Sequence, residues 1–462
     1  MFSKFVDKEK NKLMKNKSRI IIAIASFVGV IAIVAVITWF SMSSEKRNMI
    51  SFMMLSGKSY DNYQEYQVVN RNEKTLIPTS FAPSIASKLE GSNNCNIVAI
   101  TEMVKNENSK MLKKGMVQST GVNAYTGWHL IADEGAKEGK HPFGPSPLSY
   151  YTTGIAANLH TQIIRAAKVK GVKLDNIKVE VLNKFRWNEM LSPDGAGFLD
   201  ETNTNIIIES SASEDVIKGI KTMAINSWTA GEALRNETVI EPSLVVNGEN
   251  WETYKATPGT SISDESFVDG IKLSSITDVA MKPEYLKEAM EEDVSKGFSF
   301  ETMSNLKFEI FAISESAGNS ERPYLKKVTL STPTPETWEM YSDEFMREDD
   351  KPIAPTSLEY FTIGTALCLT SQTTLVSTMM GLDFTDYRIE NQIDYREESV
   401  NSTDMASYTD IVHSYILIKS NESQERLEHF YKKSLSLCFA GEGLKGATKM
   451  NTKCYLNGKY LK

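Results

Sequence analysis

Four thiols are the candidate reactive groups of this sequence: Cys95, Cys368, Cys438 and Cys454. A thiolate can act as a nucleophile, a metal ligand or half of a disulfide, depending on what surrounds it. No two of the four have the short spacing of a zinc knuckle or a CxxC redox motif, so any pairing must be made by the fold. Cys368 stands within SLEYFTIGTALCLTSQTT (357–374), whose spacing predicts a helix with Gly364, Thr365, Ser371 and Gln372 on the face of the thiol. A lone cysteine in such a place is most often an inert small hydrophobe.

An internal repeat changes that reading. The earlier stretch PLSYYTTGIAANLHTQII (147–164) keeps the Leu, Tyr, Thr, Gly and Ala pattern but has Asn158 at the place of Cys368. Laying residue n against n + 210 matches Pro147 to Gly248 with Ser357 to Gly458 without a gap, and in that register Trp228 opposes Cys438. Both extra thiols therefore belong to the second half, and a pair acting together explains their joint presence better than two unrelated small hydrophobes. Upstream the match continues with a shift to 213, as in LKK at 112–114 and 325–327.

Each half is then a unit, 95–250 and 305–462, in which strands, a long helix, two strands, a second helix and a last strand follow one another. That succession is an α+β pattern. Ser213 and Ser423 are the expected N-caps of the second helices. Gly154 and Gly364, unfavourable inside a helix, are expected where something approaches closely.

The rest of the chain must hold these units in place. At 462 residues it exceeds a single ordinary core, and its net charge of -8 gives no basis for nucleic-acid binding. Residues 20–40 are an uncharged, proline-free run ending in Trp39 and Phe40, long enough for a transmembrane helix. A lysine-rich tail, 1–19, precedes the run, so the expected topology is single-pass with a cytoplasmic N-terminus and an extracytoplasmic bulk, periplasmic or at the cell surface. Segment 41–94 reads as a stalk, and 251–304 as a connector with an amphipathic helix around PEYLKEAMEEDV. GEGLKG (441–446) spells GxGxxG but follows a helix, and the five histidines show no ligand spacing. Cys95 and Cys454 both fall in predicted strands, where a structural disulfide is one outcome.

SLEYFTIGTALCLTSQTTLVSTMMGLDFTDYRIENQIDYR, with its small-residue helix, single Cys and alternating strand, resembles the OsmC/Ohr family, and LEHFYKKSLSLCFAGEGL resembles that family's second helix with its second Cys. LKKVTLSTP is similar to its early strand. The resemblance implies two tandem OsmC-like domains forming an intramolecular pseudo-dimer, sufficient as a monomer, in which the first half, lacking both cysteines, is a scaffold. It also implies thiol peroxidase chemistry: a thiolate attacks a hydroperoxide, becomes a sulfenic acid, condenses with the second Cys, and an external thiol reductant restores the pair. On that basis Cys368 is peroxidatic and Cys438 resolving, Glu359 matches the family acid and Arg322 its arginine, with Arg396 behind it. Arg186 occupies the place of Arg396 in the other half, which favours a structural role for those two. No cofactor is implied. Two other readings stand beside this one: a catalytically inactive module of the same fold that binds a partner or serves structure, and a purely structural Cys368–Cys438 disulfide.

Overall fold

The computed structural model describes residues 39, 41–56, 69–73, 92–104, 111–120, 126–134, 142–250, 274–277, 281, 284–286, 304–332, 337–344, 352–384, 386–401, 404–446 and 448–462. In chain order the elements are α1 (Ser44–Ser56), β1 (Val69–Glu73), β2 (Ser92–Met103), β3 (Lys113–Ser119), β4 (Thr126–Ala132), α2 (Pro147–Val169), β5 (Asn176–Asn188), β6 (Ala196–Glu209), α3 (Glu214–Asn226), α4 (Thr229–Arg235), β7 (Val239–Val246) and β8 (Glu249–Asn250). There follow β9 (Ser274–Thr277), β10 (Lys307–Ser316), β11 (Lys326–Ser331), β12 (Thr337–Ser342), α5 (Ser357–Met380), β13 (Asp386–Asn401), β14 (Asp404–Lys419), α6 (Gln424–Leu437), α7 (Phe439–Lys445), β15 (Lys449–Leu456) and β16 (Lys459–Tyr460). The fold is mixed α+β, and from α2 onward elements 210 residues apart have the same type.

The described strands form two eight-stranded sheets, ordered β1-β4-β3-β2-β13-β14-β7-β8 and β16-β15-β6-β5-β10-β11-β12-β9. Each sheet draws on both halves of the chain. β2 pairs antiparallel with β13, Ile97 opposite Ile393, while β5 pairs antiparallel with β10, Val181 opposite Ala312. The last strand of each half then returns to run parallel to a strand of the other, β7 along β14 and β15 along β6. Neither half completes a sheet alone.

α2 and α5 form the centre of the core. α5 opens with a capping box: Glu359 N–H donates to Thr356 Oγ1 and Thr356 N–H donates to Glu359 Oε2. It ends at Gly381 in the left-handed region (φ 61), and α2 turns off at Gly171 in the same way (φ 64). Although α5 is rich in Ser and Thr, nearly all of it is buried. It tolerates this because Thr365, Thr370, Ser371, Thr374 and Thr378 each donate a hydroxyl to the carbonyl four residues back.

The two inner glycines sit where these helices touch. A Cβ on Gly364 would lie 2.4 Å from Tyr151 N, and one on Gly154 would lie 2.5 Å from Phe361 N. Tyr151 and Phe361 stack at 4.6 Å across the contact. Gly364→Ala is therefore expected to push the helices apart and cost about 1–3 kcal/mol, read as a lower denaturation midpoint. An unchanged midpoint would mean that the crossing is not set by backbone contact.

The flanking segments do more than tether. In the expected stalk, α1 docks on the end of α5 through Met49, 1% exposed, and an Asn48 amide that donates to Met379 O at 3.2 Å. β1 from the same segment adds an edge strand to β4, and β9 from the expected connector adds one to β12. Residues 284–286 form a bend there, with Tyr285 stacked on Tyr455 at 4.0 Å; most of the helix expected around them lies outside the described residues. The basic tail and the expected span 20–40 also lie outside, apart from helical Trp39. Among the described residues no helix is long and apolar enough to cross a membrane.

Candidate functional site

Cys368 is in the middle of α5, and Cys438 ends α6 and caps α7, 70 residues further along the chain. The two sulfurs are 3.7 Å apart, both side chains are 2% exposed, and both thiols are free. Each receives one backbone N–H, Ala440 toward Cys368 and Gly441 toward Cys438, the latter at 3.4 Å. Burial pushes Cys368 well above the ordinary thiol range, with neighbouring Cys438 next and Glu134 adding to it. Cys438 is lowered: its contact with the Cys368 thiol comes first, and against the cost of burial Gly441 N–H and the Lys445 ammonium favour its anion while Glu442, paired with Lys445 at 2.8 Å, opposes it.

A narrow cleft of about 30 Å³ reaches Cys438 between Thr365, Leu369, Leu435, Gly441 and Lys445. That volume suits one or two small polar atoms rather than a large ligand.

The equivalent place in the first half is plugged. Asn158 Oδ1 accepts Ala230 N–H at 3.1 Å, Asn158 Nδ2 donates to Ser357 Oγ at 3.1 Å, and Trp228 Nε1 donates to Ile155 O at 3.1 Å. Ala230 corresponds to Ala440, so the same N–H that faces a sulfur in the second half faces an amide oxygen in the first.

Residues 348–453, which contain α5, both cysteines of the pair and most of β15, match the family model described as OsmC-like protein. This segment is an OsmC-like domain. Among solved structures, an OsmC-like hydroperoxide resistance protein from Jannaschia sp. ccs1 is 15% identical to this chain, covering 33% of it and 96% of its own length with a TM-score of 0.23. No curated protein matches the chain.

The OsmC-like domain does not bring Glu359 or Arg322 to its sulfurs. Glu359 lies nine residues before Cys368 on the same helix, about 13 Å along the axis. There it accepts Ser119 N–H at 3.0 Å and the Ser119 hydroxyl at 2.9 Å, besides closing the capping box. Arg322 Nη1 donates to Asp343 Oδ2 at 2.8 Å, and the same carboxylate oxygen accepts Ile353 N–H just before α5. Both residues serve the N-terminal end of α5, the end that Asn158 touches through Ser357. Arg396 pairs with Asp410 and lies over the Tyr408 ring at 4.3 Å, as Arg186 pairs with Asp200 and lies over Phe198 at 4.3 Å, so the expected structural role holds for both. Cys95 is on β2 and Cys454 on β15, in different sheets, and both are free; each is raised chiefly by burial, to about 12 and about 11. They do not form the disulfide considered above.

Glu359 has a measurable signature of its own. Burial raises its carboxyl from an ordinary 4.5 to about 7, against the pull of its N–H and O–H donors. Because the folded value is the higher one, the native state binds more protons than the unfolded state between those limits. The contribution is neutral below about pH 4.5 and becomes destabilising as pH rises to 7, reaching about 3 kcal/mol. The fall in stability across that window should flatten in Glu359→Gln when denaturant curves are compared. Parallel profiles would show that the carboxyl is not the group responsible.

Two groups near the thiols were not found from the sequence. Lys113, with a fully buried side chain, pairs with Glu134 at 2.9 Å, and Glu134 Oε2 also accepts the hydroxyl of Ser371, one turn beyond Cys368, at 2.5 Å. The cluster recurs around Asn158 as Lys326, Glu344 and Thr161, and the repeated LKK runs with the Glu134/Glu344 match were its traces in the sequence. Tyr151, fully buried with a hydroxyl that has no hydrogen-bond partner among the described residues, is the other group. Among the described residues no cluster of three or more His, Cys, Asp or Glu side chains is placed to hold a metal ion.

Proposed function

We infer that this protein is a thiol-dependent hydroperoxide reductase in which the Cys368/Cys438 pair reduces the O–O bond and an external thiol reductant resets the disulfide. The observation that carries the reading is the 3.7 Å approach of two free, buried thiols that lie 70 residues apart in an OsmC-like domain. The family includes hydroperoxide resistance proteins. The cleft lined by Cys438 favours it as the attacking sulfur and Cys368 as the resolving one, the reverse of the order the resemblance implies.

The two halves act as a tandem OsmC-like pseudo-dimer with a single working site, the plugged place at Asn158 and Trp228 being scaffold. Support comes from the 210-residue register of like elements and from the strands each half lends to the other. The uncharged run 20–40 behind a basic tail supports a membrane anchor with the folded bulk outside the cytoplasm.

The test is to add one equivalent of an alkyl hydroperoxide to reduced protein and count free thiols. Loss of two thiols with formation of one alcohol supports the reading. A protein that consumes no peroxide, and whose melting temperature falls when a Cys368–Cys438 bridge is reduced, has a structural disulfide instead.

A further inference from the structure

The two halves carry the same glutamine at equivalent places, Gln162 and Gln372, but only the first has its amide oxygen paired. Gln162 Oε1 accepts Arg165 Nη1 at 3.1 Å, and Gln162 Nε2 donates to Glu397 Oε1 at 3.4 Å. Arg165 closes the cluster on Glu397 through two bonds of 2.6 and 2.8 Å. The 210-residue register puts Leu375 at the place of Arg165 and Trp187 at the place of Glu397, so the ion pair has no counterpart around Gln372. Gln372 is 3% exposed with an Oε1 that lacks a partner among the described residues, and Trp187 is 7% exposed with an Nε1 that lacks one too. Both groups stand beside the thiol pair. Gln372 is one helical turn beyond Cys368 on the same face of α5, about 6 Å between Cβ atoms. Trp187 stacks on Phe439, the residue after Cys438, with ring centroids 5.1 Å apart. Leu369, one turn before Gln372, lines the cleft that reaches Cys438. A buried acceptor and a buried donor left unpaired each cost free energy, and together they match a ligand that both donates and accepts.

We propose that Gln372 and Trp187 bind the hydroperoxyl group of the substrate, its O–H donating to Gln372 Oε1 and Trp187 Nε1 donating to a peroxide oxygen. The inference rests on the peroxidase reading above and holds whichever sulfur attacks. A hydroperoxide carries one donor and two acceptor oxygens, so it satisfies both groups at once. A dialkyl peroxide has no O–H and leaves Gln372 unpaired, which makes the amide the element that selects hydroperoxides. Replacement of Arg165 and Glu397 by Leu375 and Trp187 also leaves the place without an ion pair, which suits an uncharged ROOH. In this role neither residue gives up a proton or forms a bond; the two fix where the O–O bond lies relative to the sulfurs.

The experiment measures two quantities on reduced full-length protein: the second-order rate of thiol loss with tert-butyl hydroperoxide, and the thermal midpoint. The variants are Gln372→Met, which keeps the side-chain length without the amide, and Trp187 replaced by 3-benzothienylalanine, which keeps the bicyclic ring without the N–H. Each change removes a polar group that has no partner in the protein, so both midpoints are expected at or above the wild-type value. The rate is expected to fall about tenfold in each, the scale of one hydrogen bond to the substrate. Gln162→Met is expected to do the opposite, lowering the midpoint by breaking the bonds to Arg165 and Glu397 while keeping the wild-type rate. A slower variant whose midpoint also falls would reveal a packing role and overturn the subsite, as would a wild-type rate in either variant. If the wild type loses no thiols to the hydroperoxide, the peroxidase reading falls and the subsite with it, whereas a competent wild type with unaffected variants removes the subsite alone.

Discussion

Cys438→Ser is expected to lose hydroperoxide consumption by on the order of a thousandfold or more, while Cys368→Ser still reacts once and stops with a sulfenic acid on Cys438. The expectation follows from what stands beside each sulfur. Both receive a backbone N–H, so that contribution does not separate them; Lys445, itself paired with Glu442 at 2.8 Å, stands beside Cys438, and Glu134 beside Cys368. The cleft also opens onto Cys438. Trapping the sulfenic acid with a dione and locating it by mass spectrometry decides the matter. Adduct on Cys368 in the Cys438→Ser protein, with an inert Cys368→Ser protein, would return the attacking role to Cys368. Serine is nearly isosteric, so both variants are expected to fold, and a two-thiol loss in the wild type under the same conditions is the control.

The largest loss of stability is expected at the buried lysine. Glu134→Ala removes the carboxylate that lies 2.9 Å from Lys113, whose side chain is fully buried, and leaves only Met111 O, at 2.6 Å, of the partners found for it. Breaking such a pair from one side costs about 3–5 kcal/mol, because the remaining charge is desolvated without compensation. The comparison is Asp175→Ala, whose partner Lys173 is 88% exposed, where about 0.5 kcal/mol or less is expected. Urea denaturation of the three proteins measures both. A Glu134→Ala midpoint as little changed as that of Asp175→Ala would mean that water reaches Lys113.

Local features were legible because they depend on neighbouring residues. Ser213 and Ser423 sit at the N-caps where they were expected, and the helix through Cys368 runs from Ser357 to Met380. Gly154 and Gly364 mark a close approach, and the Arg186/Arg396 likeness becomes one repeated arrangement over an aromatic ring. Even the pairing of Cys368 with Cys438 could be argued before any coordinates, since both vary together between the two copies.

What the chain order alone determined is the inventory: two runs of like elements, the second carrying the Cys368/Cys438 pair that the first lacks, behind an uncharged, proline-free run at 20–40. The tertiary structure decided which pieces meet. The long helices cross antiparallel, so Asn158 faces Ser357, and Glu359 and Arg322 end up at the opposite end of α5 from the midpoint where Cys368 sits. Strand exchange between the halves brings Lys113 and Glu134, from the half that lacks the Cys368/Cys438 pair, to Ser371 beside Cys368. Helix caps and turns are set within a few residues, whereas helix crossing and strand exchange are set by burial of apolar surface between segments hundreds of positions apart, and no short-range pattern encodes which partner wins.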